Sequence, residues 1–398
     1  MGTEAIHDAR TIGGPAAGKR ERIVHITAVH TGDDIRIFQK ECRSLAQNGY
    51  DVYLIAPDAR AGCAGGVSLV SMPRYRNRLM RMSLGCWRAF VLAIGLRADL
   101  YHLHDPELLP WGQLLRLFGK KVVFDMHENL PGAILDKGWL PHAVRRPLSL
   151  AVVVLEWMLL IGMPIIFAED SYVKHYSRSR KSAVVLNMPL LDELRSIRVP
   201  ARAEPTIGYF GAVSHLRGSI VLIEALKLLK EQGYHVGLEL IGPIQDAHRR
   251  EIGDRVQTYG LQGVNVRGYM EAHQGWEIMA GCTLGTALLA PVPNYMGSYP
   301  TKIFEYMCLG IPVISSDFPL YKTIVEDMKC GYCIDPRSPQ EVAKAIRRLI
   351  DDPALARSLG ENGRAAVAKH FNWSNEFEKL EGLYRSVLKN GGRIVRAA

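Results

Sequence analysis

The sequence predicts an α/β protein with two Rossmann-like, doubly wound domains that face a cleft. Short apolar runs typical of buried strands alternate with longer stretches of helical periodicity, which is the pattern of parallel sheets covered by helices. This alternation of strands and helices is interrupted by a proline-bearing segment before residue 206 and then begins again. A chain of 398 residues, 48% of them hydrophobic, is long enough to fill two such cores.

In the first half, helical stretches separate most of the predicted strands. The first strand leads through a loop into a helical stretch at 35–48, which Gly49 ends. An apolar run at 148–168 could span a bilayer, but Glu156 lies near its middle and Gly162-Met163-Pro164 interrupts it, so a helix followed by a strand is expected. The predicted strands are residues 23–28, 50–56, 67–70, 100–104, 122–125, 164–168 and 183–186.

The second series begins with a strand at 206–210. The next helix places Leu222, Ala225, Leu226 and Leu229 at i, i+3, i+4 and i+7, which is the spacing of one buried helix face. Further strands are predicted at 236–241, 264–267, 284–289, 312–315 and 332–334.

These patterns predict the following organisation: a disordered tail at 1–20, an N-terminal domain at 21–198, a linker at 199–205, a C-terminal domain at 206–372, and a final helix at 373–398 that packs back on the N-terminal domain. Open α/β sheets bind ligands at the carboxyl ends of their strands, so the cleft between the domains is the expected place of the chemistry.

Composition limits the possible partners and compartments. The formal charge is +9, with most of the excess in the first half, which favours an anionic partner. No basic motif interleaved with aromatic residues is present, so nucleic-acid binding is not expected. The seven cysteines are scattered, as in a reducing compartment, and residues 1–20 lack the apolar stretch of a signal peptide. A cytoplasmic location is therefore expected.

Polar residues follow three strands of the first half. A loop with Gly32 precedes a helix, where it can bind an anion through backbone N–H groups, or Asp33 or Asp34 can simply cap the helix. The segment H-L-H-D-P-E contains His104 and Asp105, and the segment D-M-H-E-N contains His127 and Glu128. Because the ends of neighbouring parallel strands meet at one edge of a sheet, these two segments predict a site.

Two segments of the second half have the composition of a phosphate site. The glycine-bearing loop 210–218 contains Arg217, which can pair with phosphate. The segment G-S-Y-P-T-K-I-F-E-Y-M, which contains Ser298, Thr301 and Lys302, enters a helix whose N-terminal N–H groups favour an anion. Glu305 lies one turn further, where it can accept from ribose hydroxyls or form a surface ion pair with Lys302.

The order of these segments resembles the retaining glycosyltransferases of family 4, which have the GT-B fold. The resemblance covers roughly residues 23–388 and rests on G-Y-F-G-A-V-S-H-L-R-G, P-T-K-I-F-E-Y-M-C-L-G-I-P-V-I-S-S-D, H-L-H-D-P-E-L-L-P and F-D-M-H-E. It implies that the C-terminal domain binds a nucleotide-sugar donor and the N-terminal domain an acceptor. Members with the P-T-K variant often resemble enzymes of polysaccharide assembly.

The resemblance also assigns roles to individual residues. It makes Arg217 and Lys302, with Thr301 and Ser298, the residues that bind the donor diphosphate, and Glu305 the residue that binds the donor ribose. It makes His127 the catalytic residue that faces the donor sugar. Gly32 would lie in the N-terminal loop over the donor, and His104, Asp105 and Glu128 on the acceptor-side rim.

Two positions depart from the family. Gly297 stands where the family often has a glutamate that contacts the donor sugar, and Ala212 where it often has an arginine. The donor sugar is therefore not implied by the resemblance. There is no D-x-D motif to bind a divalent ion, so neither a metal nor another cofactor is expected, and Arg217 and Lys302 would stabilise the leaving group.

The leading hypothesis is a metal-independent, retaining transferase that uses a lipid-linked or growing glycan as acceptor in cell-surface polysaccharide synthesis. The alternatives are a sugar-nucleotide epimerase or phosphorylase, and a non-catalytic GT-B subunit that scaffolds a partner glycosyltransferase at the membrane. The substitution at Gly297 favours the last of these.

The segment 73–97 predicts contact with a membrane. It contains six arginines, five of them within residues 74–88, and no acidic residue, and apolar side chains including Trp87 accompany them. This composition suits an anionic bilayer surface, although a helix that packs on the sheet would also account for it. The expected location is peripheral, on the inner face of the cytoplasmic membrane, with residues 148–161 as a second apolar contact. The five arginines within residues 74–88 are Arg74, Arg76, Arg78, Arg81 and Arg88.

Overall fold

The computed structural model describes residues 20–127, 130–135, 140–176, 181–198, 200 and 204–389. The predicted tail at 1–20 lies outside the described residues except for Arg20, and so do the last nine residues of the predicted final helix. The chain divides after Val122 into two compact units.

The strands of the first unit form a parallel sheet with an antiparallel strand at its edge. Their order is β3-β4-β2-β1-β5, and β1 pairs in parallel with β2 and with β5. Apolar β1 and β5 are buried along nearly their whole length, as central strands of such a sheet must be. The strands are β1 (Arg22–Ile26), β2 (Asp51–Pro57), β3 (Gly62–Ala64), β4 (Val67–Met72) and β5 (Leu100–Leu103).

The second unit contains strands of both halves of the sequence. One set follows the order β6-β7-β8, and the other forms a six-stranded sheet in the order β11-β10-β9-β12-β13-β14. Neighbouring strands pair in parallel throughout the described part of this unit. The strands are β6 (Val122–Met126), which begins at the unit boundary, β7 (Ile165–Phe167), β8 (Ser182–Val184), β9 (Thr206–Phe210), β10 (Gly237–Ile241), β11 (Val264–Gly268), β12 (Leu284–Ala287), β13 (Val313–Ser316) and β14 (Gly331–Ile334).

Helices connect and cover these strands. In the first unit they are α1 (Arg43–Gln47), α2 (Arg78–Met80), α3 (Cys86–Gly95) and α4 (Leu109–Leu117). In the second unit they are α5 (Leu130–Leu135), α6 (His142–Leu159), α7 (Asp170–Tyr176), α8 (Leu191–Arg195), α9 (Ser219–Glu231), α10 (Asp246–Thr258), α11 (Ala272–Ala280), α12 (Pro293–Met296), α13 (Thr301–Leu309), α14 (Pro319–Val325), α15 (Pro339–Asp351), α16 (Pro353–Lys369) and α17 (Trp373–Lys389).

The predicted fold class is confirmed, because parallel strands alternate with helices in both units. Every strand predicted from an apolar run is present within a few residues of its predicted limits. The one described strand that the sequence did not predict is β3, a three-residue antiparallel edge strand. Gly62 and Cys63 are exposed there, so β3 carries no apolar signal.

The helical stretch after β1 begins as a π-helix, Ile35–Cys42, and continues as α1. The Asp34 carboxylate caps it by accepting from the N–H groups of Arg36 and Ile37, each at 2.9 Å. Helix capping is thus what Asp34 does in this structure. The wider turn buries Arg36, Lys40 and Glu41, and π-helical turns of this kind are frequent at functional sites.

The apolar run at 148–168 forms the end of α6 and then β7, as expected from the break at Gly162-Met163-Pro164. Glu156 is buried within α6 and accepts a hydrogen bond from Tyr176. In the part of the chain that the structure describes, no helix combines the length and the apolar character needed to cross a membrane.

The last helix, α17, contacts residues that precede the predicted linker. The N–H of Trp373 donates to the carbonyl of Pro189 at 2.9 Å, and the Glu376 carboxylate accepts from the N–H of Leu186 at 2.8 Å. Both contacts lie within the second unit. The predicted limits of the domains stay a prediction, since the division into compact units falls at a different place.

Candidate active site

Lys302 lies where the loop after β9 meets the first turn of α13. Its side chain is 6% exposed, and its ammonium group donates to the Tyr209 hydroxyl at 2.9 Å and lies 4.3 Å from the centre of the Tyr209 ring. The Tyr209 hydroxyl in turn donates to the carbonyl of Ala212 at 2.7 Å. Lys302 is therefore held inside the second unit and does not form a surface ion pair with Glu305.

Glycine at 211 makes this position of the lysine possible. Gly211 has a φ of +143°, which L-residues rarely adopt, and a Cβ there would lie 3.1 Å from the Lys302 nitrogen. The backbone of the loop can consequently pass directly beside the ammonium group. This is the close approach that the glycines of the 210–218 segment predicted.

Arg217 ends a short 3₁₀ turn, His215–Arg217, and Gly218 follows in the left-handed conformation. The guanidinium carbon of Arg217 lies 5.7 Å from the centre of the Tyr295 ring, within the range of a cation–π contact. Within the described residues, neither Arg217 nor Lys302 forms a salt bridge with a carboxylate. The site thus contains two cations that form no salt bridge in the described part of the chain, and the Glu305 carboxylate acts on Lys302 only at longer range.

Burial and this charge arrangement change the protonation of Lys302. Desolvation lowers the pKa of its ammonium group and the positive charge of Arg217 lowers it further, while the Glu305 carboxylate raises it in part; the resulting pKa is about 7. The ordinary lysine pKa is 10.5. An anion bound beside Lys302 would reverse the effect, because it would stabilise the charged form. A strongly lowered lysine pKa beside a second cation is typical of a functional site, here one that suits an anion.

The other predicted donor residues lie along the same segment. Thr301 is the first residue of α13 and is exposed, and Glu305 is half-buried one turn later. The Ser298 hydroxyl donates to the carbonyl of Tyr295 at 3.4 Å. These positions place a hydroxyl-bearing loop, the positive end of the α13 dipole and the Lys302 ammonium group next to one another.

His127 follows β6 and is held by an acidic neighbour. Its Nε2 atom lies 3.1 Å from a carboxylate oxygen of Asp125, which is fully buried, while the His127 side chain is 18% exposed. Its carbonyl accepts from the Tyr172 hydroxyl at 3.4 Å. A buried carboxylate that fixes the imidazole and leaves one edge of it accessible is an arrangement that positions histidines for chemistry.

In the first unit, Gly32 and Asp105 shape the loop after β1. A Cβ on Gly32 would lie 2.6 Å from the Cβ of Ala59, so only glycine fits. The buried Asp105 carboxylate accepts from the Thr27 hydroxyl at 2.9 Å and the Ala28 N–H at 2.6 Å. His104 is 2% exposed. Glu128, the remaining residue predicted for the acceptor-side rim, lies outside the described residues.

Sequence reasoning missed three contributors to the geometry. The Tyr209 hydroxyl accepts a hydrogen bond from the Lys302 ammonium group, although a tyrosine in an apolar strand looks like an ordinary core residue. The buried Ser219 hydroxyl donates to the Ser214 carbonyl at 3.0 Å and lies 2.7 Å from His248 Nε2, which fixes both ends of the turn that bears Arg217.

The third contributor is the start of α7, which contacts the segment before α13. The Glu169 carboxylate accepts from the N–H of Tyr299 at 3.1 Å, and the Tyr299 hydroxyl donates to Asp170 at 2.7 Å. A Cβ on Gly297 would lie 3.5 Å from the Cβ of Ser171. Ser171 therefore lies at ordinary van der Waals distance from the point where a side chain at 297 would begin.

Two family models match the chain. The model described as "Glycosyl transferases group 1" matches residues 192–366, which include Arg217, Lys302 and Glu305. The model described as "Glycosyl transferase 4-like domain" matches residues 36–159, which include His127. The chain belongs to the family 4 glycosyltransferases with the GT-B fold.

The curated relatives have low sequence identity with this chain. The capsular polysaccharide biosynthesis glycosyltransferase CapM of Staphylococcus aureus is 25% identical over 46% of each chain. The D-inositol 3-phosphate glycosyltransferase of Streptomyces avermitilis is 24% identical over 70% of this chain and 63% of its own. The matches thus span about half to two thirds of the curated relatives.

Solved structures agree on the fold. The sucrose-phosphate synthase of Thermosynechococcus elongatus is 21% identical and superposes with a TM-score of 0.70 over 93% of this chain and 100% of its own. Anabaena HepE, solved in complex with UDP, is 16% identical, with a TM-score of 0.66 over 92% of this chain and 100% of its own.

Proposed function

We propose that the protein transfers a glycosyl group, with retention of configuration, from a nucleoside diphosphate sugar to a lipid-linked or growing glycan. The observation that carries the proposal is the pair formed by Lys302 and Arg217 beside the first turn of α13, two cations that form no salt bridge among the described residues. A diphosphate supplies the negative charge that this site lacks, and charge-assisted hydrogen bonds to it are strong.

The proposed reaction needs no nucleophilic side chain. The acceptor hydroxyl attacks the anomeric carbon on the face from which the diphosphate leaves, and the departing phosphate oxygen takes the proton of that hydroxyl. Lys302, Arg217 and the N–H groups of α13 stabilise the charge that develops on the leaving phosphate. His127, held by Asp125, donates a hydrogen bond at the donor sugar. Glu305 accepts from the donor ribose.

The acceptor class rests on the relatives. CapM is named for capsular polysaccharide biosynthesis, and its match supports an acceptor in cell-surface polysaccharide assembly. The identity of the donor sugar is left open, because Gly297 stands where other family members often have a glutamate that contacts this sugar.

The proposal is tested with a panel of nucleoside diphosphate sugars that differ in base and sugar. We expect at least one of them to raise the melting temperature and to be consumed, with release of the nucleoside diphosphate. Binding without turnover, with and without glycan acceptors, would favour the alternative of a scaffolding subunit. No binding by any member of the panel would contradict the donor site itself.

Donor affinity is expected to depend on pH through Lys302. The free site holds this lysine with a pKa of about 7, whereas a bound diphosphate raises that pKa. Affinity should therefore be constant below about pH 7 and fall roughly tenfold per pH unit above it, until the pKa of the complex is reached. The measurement is calorimetric titration of the nucleotide-sugar from pH 6 to 9, because its diphosphate diester does not titrate in that range. The profile of Lys302→Ala should be flat, and an equally steep one would assign the pH dependence elsewhere.

Transfer is expected to proceed without added divalent ions, because Lys302 and Arg217 take the place of a cation at the diphosphate. Initial rates measured with EDTA should equal those measured with Mg²⁺ or Mn²⁺ within about twofold. A rate that EDTA abolishes at once and Mn²⁺ restores would contradict this mechanism.

We propose further that the protein acts at the cytoplasmic face of an anionic membrane. In the first unit, exposed apolar side chains of residues 79–94 lie among exposed arginines; the apolar ones are Leu79, Met80, Met82, Leu84, Trp87, Val91 and Ile94. In the second unit, α6 exposes further apolar side chains, including Leu150, Val154 and Trp157. Apolar surface mixed with cations and without acidic residues fits an anionic lipid interface.

Arg81, one of the five arginines within residues 74–88, is only partly exposed to solvent. The Arg81 guanidinium forms two hydrogen bonds with the Glu107 carboxylate, at 2.9 and 2.7 Å, and its side chain is 25% exposed. Arg76, Arg78 and Arg88 are exposed. The membrane test should therefore leave Arg81 in place, because replacing it would also leave Glu107 unpaired.

Reversing the charges of Arg76 and Arg78 to glutamate is expected to weaken binding to anionic liposomes. Each cation near such a surface contributes about 1 kcal/mol, so the loss of two lowers the partition coefficient roughly 30-fold or more. Sedimentation with liposomes at low salt measures it. The control is the same charge change at Lys344 and Arg357, which are exposed in the second unit. Wild-type protein that stays in the supernatant, or equal loss in the control, would disprove the membrane assignment.

A further inference from the structure

Four buried side chains of the first unit direct their polar atoms to one point. They are His25, Glu41, His102 and His104, and each is between 0 and 2% exposed. Their nearest imidazole nitrogens and carboxylate oxygen lie within 4.8 Å of one another. Neither the donor chemistry nor the proposed membrane contact makes use of this cluster.

The fold brings these residues together from three elements. β1 and β5 are neighbours in register, so that His25 lies directly opposite His102. His104 follows two residues after His102 and therefore faces the same side of the sheet, and its N–H donates to the carbonyl of Ile26 at 3.1 Å. The π-helix Ile35–Cys42 places Glu41 against the three imidazoles.

The distances match a tetrahedral metal site. Ligand atoms bound about 2.0–2.1 Å from a tetrahedral zinc ion lie roughly 3.4 Å apart. Here His25 Nδ1 lies 2.9 Å from His104 Nε2, and Glu41 Oε2 lies 3.8 Å from His25 Nδ1, 3.7 Å from His102 Nδ1 and 3.9 Å from His104 Nε2. The two remaining separations, from His102 to the other two imidazoles, are within 4.8 Å, so modest side-chain shifts would place all four atoms around one centre.

The two oxygens of Glu41 have different neighbours. Oε2 faces the three histidines, whereas Oε1 lies 3.1 Å from Nε of Arg36, which is itself buried. A ligating carboxylate is typically fixed by such a contact on its second oxygen. Three imidazoles and one carboxylate form a ligand set that suits zinc and similar divalent transition ions.

We infer that His25, Glu41, His102 and His104 bind one structural Zn²⁺ ion inside the first unit. Because protein atoms supply all four ligands and enclose the point between them, the ion has no open position for a substrate. It joins β1 and β5 to the π-helix, and thereby fixes the segment that begins at Asp34. This inference does not depend on the proposed function, since the donor residues belong to the second unit.

The competing arrangement contains a proton in place of the metal. One imidazolium could donate to Glu41 Oε2, and the same four side chains would then form a hydrogen-bonded cluster. Metal analysis separates the two arrangements. The full-length protein is produced in zinc-supplemented medium with a tag that contains no histidines, and is then dialysed against EDTA under native conditions.

We expect about one zinc ion per chain after dialysis, released only when the protein unfolds. X-ray absorption at the zinc edge should show three imidazoles and one carboxylate oxygen, and no sulfur. Absence of zinc from the dialysed protein and after refolding with Zn²⁺ would overturn the inference, and so would a sulfur shell. These measurements use the wild type, so they hold even where a variant fails to fold.

Variants then locate the ion. Glu41→Gln and His104→Gln should each lower the zinc content to below roughly 0.2 per chain, because a ligand is lost in either case. The matched control is the pair His215→Gln and His248→Gln. With Glu251 these two histidines form another group of potential ligands, in the second unit, where His215 is exposed. Zinc lost in the control and retained in Glu41→Gln would assign the ion to that group and overturn the inference.

Discussion

Replacing Lys302 with alanine is expected to weaken nucleotide-sugar binding by about 1.5–3 kcal/mol, or roughly 10- to 150-fold, with little effect on the fold. The loss follows from removing the charge-assisted contact to the diphosphate. The fold should tolerate the change because the buried ammonium group forms no salt bridge among the described residues, and its pKa of about 7 shows that burial disfavours its charge. Calorimetric titration measures the affinity, and thermal unfolding measures the stability.

Arg217→Ala should lose affinity by a similar amount, and Glu305→Ala should lose the ribose contacts while it remains folded. Lys344→Ala is the matched control, since Lys344 is an exposed lysine on α15 of the same unit. If Lys302→Ala, Arg217→Ala and Glu305→Ala all bind as tightly as this control, the donor site lies elsewhere.

His127→Ala is expected to lower kcat about 100-fold and to change donor affinity less than threefold. Removing a single hydrogen-bond donor that stabilises a transition state typically has an effect of this size on turnover. The imidazole is fixed by Asp125 at 3.1 Å, so Asp125→Asn should lower kcat to a smaller extent, through the orientation of His127. Steady-state rates at saturating donor give kcat, and titration gives the affinity.

The control for this prediction is His142→Ala, because His142 is an exposed histidine at the start of α6. It should leave both kcat and affinity unchanged. Should His127→Ala reduce donor affinity as much as turnover, His127 would be a binding residue and no longer the proposed catalytic residue.

The sequence was sufficient to predict the strands and the segment that holds Lys302. Parallel strands buried on both faces appear as continuous apolar runs, and β9 was predicted with its observed limits, Thr206–Phe210. Lys302 and Arg217 were found because glycines, a proline and cations occur together at a helix start. Each of these signals is local, and so a single segment is enough to reveal it.

What the sequence could not reveal depends on contacts between distant segments. The support of Lys302 by Tyr209 joins residues 93 positions apart, and the contact of Glu169 with Tyr299 joins residues 130 positions apart. The histidine cluster required the register of His25 opposite His102, which no pattern of apolar residues specifies. The pairing of Arg81 with Glu107 was likewise invisible, and it removes one arginine from the predicted basic surface.

The pKa of Lys302 makes this side chain chemically different from an ordinary lysine. With a pKa of about 7, roughly half of its amine is uncharged at neutral pH, whereas a lysine with a pKa of 10.5 is almost entirely an ammonium ion. An uncharged amine is a nucleophile, and Lys302 is only 6% exposed, so a reagent that binds beside it is favoured over one that does not. A nucleotide analogue that carries an aldehyde should therefore form a Schiff base with Lys302. Borohydride reduces this Schiff base to a stable secondary amine, so that the donor site can be labelled covalently in a mixture of proteins.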